Sequence, residues 1–229
     1  MLSLDELRLT QDGFTLSLSG QIARGERVAL LGASGSGKST LLSLIAGFDR
    51  PDAGRILWDG QDITEAPVAA RPVSILFQDG NLFPHLSVFD NVALGLRADL
   101  RLSAGDRDRV AESLSQVGLA DHASKRPAAL SGGQQARVAL ARMLLRDRPL
   151  ALLDEPFAAL DPGLKTEMLA LVHDLSSGQG LTLLMACHDL RDAERLCDRL
   201  WLLEDGAKVL DIPLPGLRDD PPAALRDWL

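Results

Sequence analysis

Gly32-Ala33-Ser34-Gly35-Ser36-Gly37-Lys38-Ser39 follows the apolar run Arg27–Leu31 and precedes a segment, 39–46, whose apolar residues have helical spacing. Glycines at these positions let backbone N–H groups turn inward on phosphate oxygens, and the N-terminus of the following helix adds the positive end of its dipole. Lys38 is placed to reach β and γ phosphates and the Ser39 hydroxyl to ligate Mg²⁺, with Thr40 beside them as a further nucleotide contact. A glycine-rich turn carrying a surface lysine would need neither the strand nor the helix that flank this one. The feature therefore demands a buried strand feeding a helix, and with it an α/β core. It does not choose among kinase, GTPase and ATPase chemistry, all of which use such a loop for phosphoryl transfer.

The remaining pattern fits the same core. Short apolar runs over 54–58, 73–77, 150–153 and 181–187 read as strands, Asp59-Gly60 as a turn, and 163–177 as a helix. Strand signals nearly vanish between, where 87–96, 104–117 and 132–145 have helical spacing. The expectation is one domain over 1–229: an α/β phosphate-loop NTPase core with a mainly parallel sheet, an antiparallel β edge subdomain, and a helical insertion over 86–146. The tail 211–222, rich in proline and acid, reads as a closing loop before a short terminal helix.

Composition narrows the function. A chain of 229 residues with 46% hydrophobic residues can bury a core without a metal or disulfide staple. Acidic residues outnumber basic ones 32 to 24, for a net charge of −8, which argues against a nucleic-acid partner. Cys187 and Cys197 form no CxxC and suggest a reducing compartment. The start MLSLDELRLT lacks an apolar leader, and no apolar run approaches the roughly 18 residues that span a bilayer, so a membrane would be served from outside it.

Leu130-Ser131-Gly132-Gly133-Gln134 opens the helical stretch to 145, placing Ser131 and two glycine amides at a second helix N-terminus. This is a second anion site, or else a serine N-cap followed by glycines. Asp154 and Glu155 end an apolar strand: Asp154 can hold Mg²⁺ and Glu155 can orient and deprotonate water, whereas alone they would read as two solvated carboxylates. His188 follows the 181–187 strand, where a parallel sheet presents its carboxyl ends to a ligand crevice. His85, His122 and His173 lack such a placement and read as surface or packing residues.

With these motifs in this order, the chain resembles the ATP-binding subunits of ABC transporters over essentially its whole length. The set is GASGSGKS at 32–39, a Q-loop glutamine at Gln78, LSGGQ at 130–134, LALLDEP at 150–156, a D-loop ending at Asp161 and a switch histidine at His188. The resemblance implies ATP and Mg²⁺, with Ser39, Gln78 and Asp154 toward the metal and Glu155, His188 and Gln78 in catalysis. It also implies a head-to-tail homodimer in which Ser131, Gly132, Gly133 and Gln134 cover the nucleotide of the other copy, docked on a permease at the cytoplasmic face of the membrane. The family's adenine-stacking position falls near Gln11, and the chain has no tyrosine. Phe14, the one aromatic residue ahead of Gly32, is either a substitute stacker or a core residue of the strand 14–18.

The stretch 71–88, RPVSILFQDGNLFPHLSV, is most similar to ATPase subunits of bacterial thiamine importers. Importers of polyamines, sulfate or iron compete, but many add a regulatory domain, for which the roughly forty residues after His188 leave no room. The resemblance thus implies uptake of thiamine and its phosphate esters from an external binding protein, with 81–88 forming part of the permease groove. A soluble ABC protein of DNA repair or translation would bring two ATPase units or coiled-coil insertions. A non-hydrolysing regulatory module would be expected to lack Glu155 or His188.

Overall fold

The structure, a computed structural model, describes residues 1–228. Its strands are β1 (Leu2–Gln11), β2 (Phe14–Ile22), β3 (Arg27–Leu31), β4 (Ala53–Trp58), β5 (Gln61–Asp62), β6 (Val73–Leu76), β7 (Leu150–Asp154), β8 (Thr182–Cys187), β9 (Arg199–Glu204) and β10 (Ala207–Pro213). The helices are α1 (Lys38–Ala46), α2 (Val88–Ala93), α3 (Ala104–Gln116), α4 (Gly132–Leu145), α5 (Pro162–Gln179) and α6 (Leu190–Leu196). All ten strands join one sheet in the order β5-β4-β1-β2-β10-β9-β3-β8-β7-β6.

The half from β9 to β6 is parallel, and its strands are buried on both faces. Period-two alternation divides them: Val28, Leu30, Leu150, Leu152, Leu184 and Ala186 face α1 and the antiparallel edge, while Ala29, Leu31, Ala151, Leu153, Leu183 and Met185 face α5 and α6. The edge consists of β1, β2, β4 and β5, paired antiparallel. Gly206 allows the two halves to join: at φ +80°, a Cβ there would lie 2.0 Å from the Thr15 carbonyl oxygen. Between β6 and β7, helices α2, α3 and α4 bury a cluster of their own around Val88, Val92, Val110, Leu114 and Val138.

The tail departs from the expected loop, because Asp211–Pro213 belongs to β10, which pairs antiparallel with β9. Acid and proline signalled a loop, but the Asp211 carboxylate is neutralised by Arg199 at 2.6 Å and Lys208 at 2.7 Å. Burial pushes its pKa up, but the hydrogen bonds from Arg199 and Lys208 together with their charges hold it below the ordinary carboxylate range. Pro213 sits at the strand's end, where no further ladder donor is needed. The terminal helix is a 3₁₀ segment, Ala223–Trp228.

Arg71 is 1% exposed and, among the described residues, forms no ion pair with a carboxylate; it donates to the carbonyls of Leu44 and Ile45 at the end of α1 and to those of Thr64 and Ala66. A cation at the negative end of the phosphate-loop helix is favourable, although burial lowers its pKa. Arg71→Met removes all four of these bonds; the Leu44 carbonyl keeps the Gly47 N–H at 3.2 Å, and those of Ile45, Thr64 and Ala66 are left to be satisfied otherwise. The expected loss is about 1–3 kcal/mol of stability for each buried carbonyl that finds no other donor. Urea unfolding checks it through a lowered midpoint at unchanged slope.

Candidate functional site

Strands β6, β7, β8 and β3 lie side by side and end in step, with Leu76 opposite Leu153, Asp154 opposite Ala186, and Leu31 opposite Cys187. The residue or loop that follows each strand therefore emerges on one edge. Gln78 follows β6 after Phe77, Glu155 follows β7, His188 follows β8 and the 32–37 loop follows β3. This is the carboxyl-end crevice where parallel α/β sheets hold ligands.

In the loop, Gly35 and Gly37 have φ of +82° and +101°, which turns successive N–H groups to one side. Lys38, 6% exposed, donates to the carbonyls of Gly32 at 2.8 Å and Ala33 at 3.0 Å, and lies 3.6 Å from Glu155 Oε1. The Ser39 hydroxyl donates to Asp154 Oδ1 at 3.0 Å. Burial raises the Asp154 pKa above the ordinary carboxylate range despite the Ser39 hydrogen bond, and the adjacent Glu155 charge adds to the rise. His188 Nδ1 lies 3.0 Å from Glu155 Oε2, an acceptor-only atom, so the ring N–H donates there. Glu155 is thus held from both sides, on a backbone at φ +44° that costs a non-glycine residue about 1 kcal/mol or more. Cys187, next to His188, is buried with its thiol pushed up to about 12, and so is not a nucleophile.

Ser131 and Gln134 form a capping box on α4: the Ser131 hydroxyl accepts from the Gln134 N–H at 3.3 Å, and Gln134 Oε1 accepts from the Ser131 N–H at 3.0 Å. A Cβ at Gly133 would lie 2.2 Å from the end of the Leu164 side chain of α5, which would have to move to admit it; Gly132 has more room, with Leu160 at 3.8 Å. Asp161 is the N-cap of α5, accepting from the Leu164 N–H at 3.0 Å. Among the described residues no hydrogen bond joins Ser131, Gly132 or Gly133 to the 32–39 loop. Gln78 is exposed and lines, with Gly132, Gln135 and Leu160, a groove of about 230 Å³ between β6, α4 and the 156–160 turn.

Phe14 is half-buried on the β1/β2 core, its ring edge 2.9 Å from where a Gly37 Cβ would stand, so it forms part of the loop's floor; Gln11 opposite it on β1 is exposed. Several contacts had no sequence signal. Arg142 of α4 donates to the carbonyls of Gly80 at 2.6 Å and Asn81 at 3.0 Å. Asn91, fully buried, both donates to and accepts from the Phe83 backbone. His122, expected to be a surface or packing residue, lies 3.2 Å from the Gln134 side-chain amide. Lys165 and Asp192 pair at 2.8 Å behind Glu155 and His188.

Residues 16–158 match the family described as ABC transporter. The thiamine import ATP-binding protein ThiQ of Jannaschia sp. (strain CCS1) is 63% identical over the full length of both chains, and that of Cereibacter sphaeroides 53% identical over all of this chain and 99% of its own. Among solved structures, the ATP-binding cassette MJ0796, a dimer in a post-hydrolysis state with ADP and phosphate, superposes with a TM-score of 0.81 at 31% identity, covering 93% of this chain and 99% of its own. Clostridium perfringens cbiO1, part of the transporter complex cbiONQ, does so with a TM-score of 0.86 at 31% identity, covering 96% and 90%. The crevice at the ends of β3, β6, β7 and β8, the capped LSGGQ helix and these likenesses lead to one assignment: the chain belongs to the ATP-binding subunits of the ABC transporters.

Proposed function

We propose that this chain hydrolyses ATP at the β3/β7/β8 edge to power a membrane importer of thiamine and its phosphate esters. The observation that carries the chemistry is the hydrogen-bonded pair Ser39–Asp154 next in sequence to the linked trio Lys38–Glu155–His188 on one edge of the sheet. The substrate rests on the full-length identity to thiamine import proteins.

Arriving phosphates compete for Lys38 with the Gly32 and Ala33 carbonyls and with Glu155. Once Lys38 turns to the phosphates, Glu155 Oε1 is free to accept a proton from the water attacking the γ phosphate, while His188 holds Oε2. The Ser39 hydroxyl and Asp154 carboxylate are adjacent hard-oxygen donors suited to Mg²⁺, with Gln78 on the flanking strand end. Among the described residues no cluster of three or more His, Cys, Asp or Glu could hold a metal unaided, which fits an ion completed by phosphate oxygens and water. When bound, that ion neutralises phosphate charge. Phe14 supports the loop from below.

Ser131 through Gln134, unbonded to this chain's own phosphate loop, close over the nucleotide of a second copy arranged head to tail, with Asp161 at the joint. Residues 86–146 move as a subdomain within the single domain 1–229. The permease docks where Phe48, 51% exposed, lies tilted against Phe77 and where Phe83, 46% exposed, meets His85. No helix of the described residues is long and apolar enough to cross a membrane. In this reading the chain attaches to the permease at the cytoplasmic face, and the solute arrives on an external binding protein. Affinity purification of the tagged full chain from detergent-solubilised membranes tests the reading. A co-purifying permease with thiamine-stimulated ATPase activity supports it, and an ATPase recovered wholly free of any permease contradicts it.

A further inference from the structure

Gln134 has its side-chain oxygen committed to the Ser131 N–H, so the atom it turns toward His122 Nε2 at 3.2 Å is its NH₂ donor. The reverse orientation would set that NH₂ against the Ser131 N–H, donor against donor. His122 Nε2 must then accept, which places the ring's one proton on Nδ1, an atom that is buried and without a partner. A buried nitrogen without a protein partner calls for a reason, and the contact made by the other nitrogen supplies one. The turn carrying it is fixed in turn to the start of α2, since the N–H groups of Val88 and Phe89 donate to the carbonyls of Lys125 at 2.7 Å and Ala123 at 2.9 Å.

From these contacts we infer that neutral His122 is a positioning residue for the LSGGQ turn, setting Gln134 and through it the Ser131 backbone, and linking both to the 81–88 segment. The contacts form a continuous path: Asn91 holds Phe83, α2 begins at Val88, the 123–125 carbonyls meet that beginning, and His122 meets Gln134. The inference rests on the proposed reading that this turn covers the nucleotide of a second copy. His122 touches no phosphate in that arrangement; it fixes the angle at which Ser131 is offered.

The test compares MgATP turnover and MgATP affinity in the full-length chain for His122→Leu, His122→Gln and Ser131→Arg. His122→Leu is expected to lower turnover about tenfold at unchanged nucleotide affinity, because the binding loop lies on β3 and α1 and is untouched. His122→Gln, whose side-chain oxygen can accept from Gln134, is expected to restore at least half of the wild-type rate. Wild-type turnover in His122→Leu overturns the inference, as does equal impairment of the Leu and Gln variants or a loss of affinity alongside turnover. Ser131→Arg separates the two readings. If it abolishes turnover while His122→Leu does not, only the His122 inference falls; if it leaves turnover intact, the two-chain site falls and takes the inference with it.

Discussion

Glu155→Gln is expected to lower the rate of ATP hydrolysis by about 10²–10⁴-fold, the range for removing a positioned general base. The amide keeps the shape of the side chain and still meets His188 at the former Oε2 position, but it cannot take a proton from water. Binding of ATP should persist, since Lys38 and the loop are unaltered. Hydrolysis no longer reopens the closed pair, so ATP should shift the variant to a dimer in size-exclusion chromatography. Turnover near wild type would remove Glu155 as the base.

Lys38→Ala is expected to weaken ATP binding by about 10²–10⁴-fold, the loss of two charge-assisted hydrogen bonds of roughly 1.5–3 kcal/mol each, to the β and γ phosphates. It also takes the Lys38 donor from the Gly32 carbonyl and from the Ala33 carbonyl, which keeps the Ser36 N–H at 3.2 Å, and leaves Glu155 without the cation 3.6 Å away. The loop's turn depends on Gly35 and Gly37, so its backbone should survive. Fluorescent-nucleotide titration measures the change, and wild-type affinity would exclude the loop from nucleotide binding.

Gly32–Ser39, Asp154, Glu155, Gln78 and His188 were legible because each ends or closely follows an apolar run. Parallel strands that end in step bring such residues to one edge whatever their separation in sequence. What could not be read depends on partners far along the chain. Arg71 looks like a surface cation until the carbonyls of Leu44 and Ile45 are placed beside it. Asp211 looks like a loop acid because its neutralising Arg199 lies on the preceding strand. His122 sits in a short 3₁₀ turn whose position follows from packing between α3 and α4, and no periodicity announces its contact with Gln134. The left-handed backbone of Glu155 is likewise set by its N–H bond to the Ala186 carbonyl on β8, at 3.2 Å, a contact between strands remote in sequence. For the LSGGQ glycines the sequence suggested anion binding, and at Gly133 the fold adds a close approach of the Leu164 side chain.

Uptake of radiolabelled thiamine tests the central claim most directly, measured in a cell that cannot make the vitamin, with this chain deleted and then restored as wild type or Glu155→Gln. Uptake should vanish on deletion, return with the wild-type chain and fail to return with Glu155→Gln. Thiamine uptake that persists after deletion, with loss of polyamine, iron or sulfate uptake instead, would contradict the account of what this ATPase drives.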